Sequence, residues 1–396
     1  MLIVNTTAAR KAGELTWYDP TDQAFAYEGR IDFDRPQEPV FVNPCSYVQF
    51  RMGGRRAAIA IKNWHSYFEN TLGVLVDGEY RGKILLHDGT SLQGETAEQF
   101  MLRLSPVEGE RFSALKSFAK DVRFYDLAQF LDGKEHELTV FKRMDSCHYF
   151  SFCGLAAEEG TIECPETPRQ VRRIEVYGDS ISCGEVSEAV GRVGSDDPEG
   201  HNGIYSNSYY SYPWILARGL GARLHDVSQG GIALQDDRGW FNLPDAVGML
   251  SCYDKIQNNP SLGERKPWNF QAYVPHVVIV AIGQNDAHPE NYMAEAYEGE
   301  KAMQWREDYR RFISGLREKY PKALIVLTTT ILGHDPAWDR AIGQVCNEMR
   351  DPKIRQFLYE KNGCGTSGHV RIPEAEKMAR EMQGFLEGLG EEIWED

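Results

Sequence analysis

Four short stretches of this sequence bring together groups that could carry out nucleophilic acyl chemistry. Tyr177-Gly178-Asp179-Ser180 follows an apolar run. There Gly178 permits a tight turn, Asp179 can bond neighbouring backbone amides, and Ser180 would open the next helix with its hydroxyl exposed. A plain helix N-cap is the competing explanation for such a serine. Ser228-Gln229-Gly230-Gly231-Ile232 also follows an apolar run. Paired glycines there let the backbone approach a ligand and expose an amide donor, although an ordinary turn uses the same residues. Ile282-Gly283-Gln284-Asn285-Asp286 places a neutral carboxamide, Asn285, where a developing oxyanion needs a donor; the alternative is an Asx-turn. Asp286 suits fixing that loop better than entering chemistry. Gly363-Cys364-Gly365-Thr366-Ser367-Gly368-His369 supplies an imidazole, the natural base for a serine hydroxyl near neutral pH. The chain has ten histidines, and His288 and His334 also follow strand-like runs. His369 is preferred because a loop above a sheet can reach a serine at the end of its first strand.

These groups need a scaffold, and the sequence supplies two kinds. From 29 to 155 it reads as short β-rich runs (GRIDFD, SYVQFRM, RRAAIAIKN, LGVLVDGEY, KILLHD, EQFMLRL, HELTVFKRM) separated by turn signals such as Asp77-Gly78 and Asp132-Gly133. That pattern predicts an antiparallel β-sandwich or jelly roll, with a short helix within 118–131. A Pro- and Glu-containing stretch, 156–169, reads as a linker. After it, RRIEVYG, ARLHDV, HVVIVAIG and KALIVLTTT alternate with helical patterns at 207–219, 303–319, 338–349 and after Pro373. Apolar strands alternating with helices predict a parallel sheet covered on both faces, with functional groups at the carboxyl ends of its strands. The expected domains are therefore 1–165 and 170–396.

The net charge of −16 repels phosphate backbones and anionic headgroups, so nucleic acid and membrane are poor partners and a neutral substrate fits better. With 42% hydrophobic and 26% charged residues, a disordered or fibrous chain is excluded. The first twenty residues lack the cationic and apolar segments of a signal peptide, and no run approaches the roughly 20 apolar residues that span a bilayer. Eight cysteines without a regular spacing read as reduced thiols. Together these features lead to the expectation of a cytoplasmic protein. No metal-ligand spacing or phosphate-cradling loop is present, so no cofactor is expected.

The order Ser180, Gly231, Asn285, His369 resembles the four blocks of the SGNH (GDSL-like) hydrolase superfamily. The resemblance implies an α/β fold with a flavodoxin-like three-layer domain. It also implies an oxyanion hole made by the Ser180 amide, the Gly231 amide (Gly230 as fallback) and the Asn285 side chain, with Ser180 as nucleophile and His369 as base. The N-terminal half, with GRIDF, VLVDG, ELTVFKRMD and FSFCGL, is similar to carbohydrate esterase family 2. That family couples a jelly-roll domain to an SGNH domain and removes acetyl groups from sugars and plant polysaccharides such as xylan or mannan. The resemblance thus implies an acetylated mono- or oligosaccharide as substrate.

One departure stands out. Most SGNH enzymes carry an aspartate three residues before the histidine, and here that residue is Thr366, with no carboxylate from 362 to 369. A Ser–His dyad oriented by a backbone carbonyl of the same loop is the expectation; a carboxylate from elsewhere or an inactive relative are the alternatives. For a sugar ring, Trp338 is the foremost candidate platform, followed by Trp240 and Tyr209, with Trp268, Trp305, Tyr205 and Tyr210 behind them. Core packing competes as the explanation for each tryptophan. A lipase or thioesterase acting on longer acyl esters, and a catalytically weak carbohydrate-binding relative, are the competing functions.

Overall fold

The computed structural model describes residues 15–86, 95–96, 122–158, 162–165, 172–240, 247–257, 259 and 262–395. The chain divides into two compact units. The first comprises 1–42, 46–142 and 148–167; the second comprises 43–45, 143–147 and 168–396.

The first unit holds two antiparallel sheets. One runs in the order Ile31–Asp32, Val40–Phe41, Tyr149–Glu158, Ala57–Trp64, Val122–Asp126, Glu95–Thr96, with Leu15–Tyr18 also paired to Tyr149–Glu158. The other runs Ile162–Glu163, Tyr47–Gly54, Gly133–Lys142, Thr71–Val76, Glu79–Leu85, with Ala26–Glu28 beside Tyr47–Gly54. Period-2 alternation explains how each sheet covers a common core. In Tyr47–Gly54, Val48, Phe50 and Met52 are fully buried while Tyr47, Gln49 and Arg51 are partly exposed. Ile59, Ile61, Phe150 and Phe152 meet them from the other sheet. The Asp77-Gly78 signal is a two-residue hairpin turn with both residues at positive φ (53° and 79°), the conformation that matches strand twist. The run EQFMLRL and parts of the expected linker lie outside the described residues. Of the segment 118–131, where a short helix was expected, the described residues hold the strand Val122–Asp126 and a single 3-10 turn, Ala128–Phe130.

The second unit is built on a five-stranded parallel sheet. In sheet order its strands are Arg223–Ser228, Arg173–Gly178, Val277–Ala281, Leu324–Thr328 and Ile354–Gln356. Numbered along the chain this is order 2-1-3-4-5, the flavodoxin-like arrangement, whose switch point lies beside the first strand. Val277–Ala281 and Leu324–Thr328 read as unbroken β-branched and apolar runs because both faces are covered, while Arg173–Gly178 carries a buried Glu175 that accepts from the Tyr177 hydroxyl. Val278, Val280, Ile282, Ile325 and Leu327 pack one face against Trp305, Tyr309, Phe312 and Ile313 of helix Glu300–Lys319 and Trp338, Ile342 and Val345 of helix Pro336–Met349. Helices Tyr212–Leu220 and Ile372–Gly388 pack against each other, and the former also contacts the strand Arg223–Ser228. One expected helix is missing: the chain after Ser180 runs through successive turns to 188 and reaches its first α-helix only at Tyr212.

Candidate active site

Gly178 closes the first strand where no side chain would fit. A Cβ there would lie 2.2 Å from Ser182 Oγ and 3.0 Å from Ser228 Oγ. Asp179 then ties two turns together. Its Oδ1 accepts from the Ile181 amide (3.0 Å), and its Oδ2 accepts from Gln284 Nε2 (2.6 Å) and Asn285 Nδ2 (3.1 Å). Burial pushes the Asp179 carboxyl up to about 6, against the pull of the Ile181 amide and Gln284. Ser180 is next in the chain, at the carboxyl end of the strand beside the topological switch, and is nearly buried.

Asn285 joins this group from the third strand. Its Nδ2 also donates to Ile232 O (3.1 Å), immediately after Gly231, which sits at positive φ (70°). Asp179, Asn285 and the 228–232 turn are thereby drawn to one edge of the sheet. Both Nδ2 hydrogens are engaged, so donation to a further acceptor requires a shared, three-centre bond. The Gly230 amide donates to Asp145 Oδ2 (2.6 Å), which commits the fallback donor elsewhere. Asp286 is fully buried and accepts from Trp305 Nε1 (2.8 Å) and the Leu234 amide. It braces the loop, as its neighbours suggested.

His369 arrives on the loop before the last helix. Its Nδ1 lies 2.6 Å from Asp197 Oδ2, and its amide donates to Asp197 Oδ1 (3.0 Å). The fully buried Arg371 donates from Nη2 to Asp197 Oδ1 (2.8 Å) and from Nη1 to His369 O. The expectation of a dyad oriented by a backbone carbonyl is therefore corrected: a carboxylate orients His369, and it comes from the excursion 188–206. Asp197 can approach because residue 368 is glycine; a Cβ there would sit 2.6 Å from Ser195 O and 2.8 Å from Asp197 Oδ1. Glu374 fastens the same excursion to the last helix, accepting from the Gly194 and Arg371 amides. Thr366, three residues before the histidine, is buried and its backbone pairs with Leu332 beyond the fourth strand.

Charge follows from this geometry. Burial opposes ionisation of Asp197, but its hydrogen bonds to His369 and Arg371 and the His369 charge hold it well below the usual carboxylate range. Burial opposes the imidazolium too, yet Glu185 and then Asp197 carry His369 up to about 8. On its other edge, His369 Nε2 lies 3.7 Å from Glu185 Oε2. Glu185 belongs to the turn that starts at Ser180, since its amide donates to Ser180 O (3.0 Å). His369 thus faces the Ser180 turn.

The other histidines and the aromatics sort themselves by burial. His334 is enclosed, with Nδ1 on Leu332 O (2.7 Å) and Nε2 on Asp339 Oδ2 (3.2 Å). His288 lies flat under Trp240, with ring centroids 3.6 Å apart. Trp240 is 65% exposed, and its amide donates to Gly231 O (2.9 Å), so this face stands beside the glycine turn. Trp338, the foremost expected platform, is wholly buried; its edge meets Trp305 and Tyr292, and its Nε1 donates to Asn291 Oδ1 (3.0 Å). The reason is its place on the inward side of helix Pro336–Met349, where it fills the core. Tyr209 is half-buried with the Arg218 guanidinium 3.8 Å above its ring and Trp214 at its side, so its ring is occupied by packing. Among the described residues no group of three or more His, Cys, Asp or Glu is arranged to hold a metal ion.

Comparison with known proteins agrees with this architecture. The family model "Carbohydrate esterase 2 N-terminal" matches residues 27–105. Over 92% of its length the chain is 28% identical to the cellulase/esterase CelE of Acetivibrio thermocellus, but it spans only 39% of that relative. It is 29% identical to an acetylxylan esterase/glucomannan deacetylase of Cellvibrio japonicus, over 65% of this chain and 68% of the relative. A family two carbohydrate esterase from Clostridium thermocellum, solved in complex with cellohexaose, shares the fold with a TM-score of 0.68 and 23% identity, covering 94% of this chain and all of that one. The matched N-terminal domain, the named relatives and the shared fold together make this chain similar to carbohydrate esterase family 2.

Proposed function

We propose that the protein is a serine esterase that removes O-acetyl groups from carbohydrates, with Ser180 as nucleophile, His369 as general base and Asp197 as the group that orients it. The observation that carries this reading is the Asp197–His369 pair, held against the turn that begins at Ser180. With its Nδ1 hydrogen on Asp197, the imidazole presents Nε2 as the basic nitrogen. Ser180 Oγ attacks the acetyl carbonyl and passes its proton to Nε2. The oxyanion meets the amides of Ser180 and Gly231 and a shared hydrogen of Asn285. Nε2 then protonates the departing sugar oxygen, and water, activated by the same nitrogen, releases acetate.

Support for a carbohydrate as the alcohol comes from the broad, exposed face of Trp240 beside Gly231, a surface suited to a pyranose ring. The Cellvibrio japonicus relative named for acetylxylan and glucomannan points to the same class, xylan- or mannan-derived oligosaccharides. The test is acetate release from acetylated xylan and glucomannan by the wild type and Ser180→Ala. Loss of at least 10³-fold in the variant is expected. Turnover within tenfold of wild type, or preference for long-chain esters, would refute the assignment.

A further inference from the structure

Glu185 stands at the reactive edge of His369 without a part in the acyl-transfer steps above. Its carboxylate is 14% exposed and 3.7 Å from Nε2, while Nδ1 is committed to Asp197 at 2.6 Å. Among the described residues His369 is its one cation-forming neighbour within ion-pair distance. If Nδ1 carries the only ring hydrogen, the Nε2 lone pair confronts a carboxylate oxygen where both side chains are largely buried. Two electron-rich atoms so placed repel each other, and a proton on either one relieves that repulsion.

We propose that Glu185 is a positioning residue that shares one proton with His369 Nε2 in the resting protein, holding the ring between two carboxylates and setting the pH at which Nε2 becomes available to Ser180. This rests on the reading of His369 as general base. The proton is carried either as imidazolium beside carboxylate or as carboxylic acid beside imidazole. It leaves to solvent as pH rises, after which Nε2 can take the Ser180 hydrogen and return it to the leaving oxygen.

The surrounding charges favour keeping that proton. Asp179 faces the ring from the first strand, and Asp197 and His201 face it from the 188–206 excursion. Arg371 holds the His369 carbonyl from the last helix, and Asp145 adds negative charge behind Glu185. Burial raises Glu185 to about 7 against the pull of His369, and His369 itself stands at about 8. Groups this close titrate as a pair.

The experiment is an NMR titration of the His369 Cε1–H in 13C-histidine-labelled protein, assigned by its loss in His369→Asn, for wild type, Glu185→Gln and Glu185→Asp. Glu185→Gln is expected to lower the His369 midpoint by about one unit or more, and Glu185→Asp to keep it within about half a unit of wild type. The acid limb of kcat/KM for 4-nitrophenyl acetate should move the same way, so that Glu185→Gln gains up to about tenfold relative to wild type near pH 6. A midpoint that stays put or rises in Glu185→Gln would overturn the proposal. The titration needs no turnover, so a wild type inert towards every ester would refute His369 as a base independently of the shared proton.

Discussion

Asp197 Oδ2 lies 2.6 Å from His369 Nδ1, although 172 residues separate the two along the chain. The contact does not stand alone. Arg371 neutralises the remaining oxygen of Asp197, Gly368 leaves room for the approach, and Glu374 pins the excursion that carries the acid. The imidazole is therefore held in place at Nδ1 by a set of part-buried polar contacts, the arrangement that would keep a general base aligned.

Asp197→Asn removes the charge while keeping the shape. It is expected to lower kcat/KM for acetyl esters by about 10²–10⁴-fold at pH 7, mostly through kcat. Steady-state kinetics on acetylated xylan fragments check this. A loss under tenfold would mean that a backbone carbonyl of the 362–369 loop suffices to orient the ring.

Trp240 and Trp338 separate binding from packing. Trp240→Ala is expected to raise KM for acetylated oligosaccharides about tenfold more than KM for 4-nitrophenyl acetate, with stability within about 0.5 kcal/mol of wild type. Trp338→Ala is expected to cost about 3–5 kcal/mol of stability and to lower activity on both substrates alike. Parallel denaturant unfolding and two-substrate kinetics distinguish them.

Three buried carboxyls should make the fold more stable in mild acid. Burial pushes Asp226 up to about 8 and Asp286 to about 7, each against its hydrogen bonds, and Asp179 to about 6. Between about pH 4 and those values the folded chain binds more protons than the unfolded one, so unfolding free energy falls as pH rises. Asp197 has the opposite sign; its contribution is complete above the ordinary carboxylate range and fades only in stronger acid. Thermal melts should give a higher Tm at pH 5.5 than at pH 8.5. Relief of net negative charge works in the same direction, so Asp226→Asn isolates the buried group: it should flatten the slope by up to about 1 kcal/mol per pH unit between pH 6 and 8. An unchanged slope would contradict this.

Strand-to-loop junctions were the part most open to reading from sequence. Gly178-Asp179-Ser180, Gly230-Gly231 and Gly283–Asn285 each follow an apolar run, and a parallel sheet sends all such ends to one edge. The Asp77-Gly78 hairpin was legible for a similar reason, because its turn type demands those residues. Asp197 was not legible. The excursion contains Glu188, Asp196, Asp197 and Glu199, and nothing local distinguishes the one that a loop 172 residues away will meet. Gly368, directly before the histidine, was the one mark of a close approach there. In place of the helix expected at Ser180, that stretch runs through turns that bring Glu185 to the Nε2 edge of the imidazole. Trp338 misled because a tryptophan near a strand end reads the same whether it points inward or outward; Trp305 and Tyr292, which claim its edge, come from other helices.

Carrying the acid on a detour off the main fold has a further consequence. The position of the carboxylate in the chain and its position in space become separate variables, because the detour can lengthen, shorten or exchange its acid without moving a strand. Chains that lack an aspartate before the histidine then need not lack a third member. In this chain the glycine ahead of the imidazole and the arginine behind it are the two local features that meet the borrowed acid.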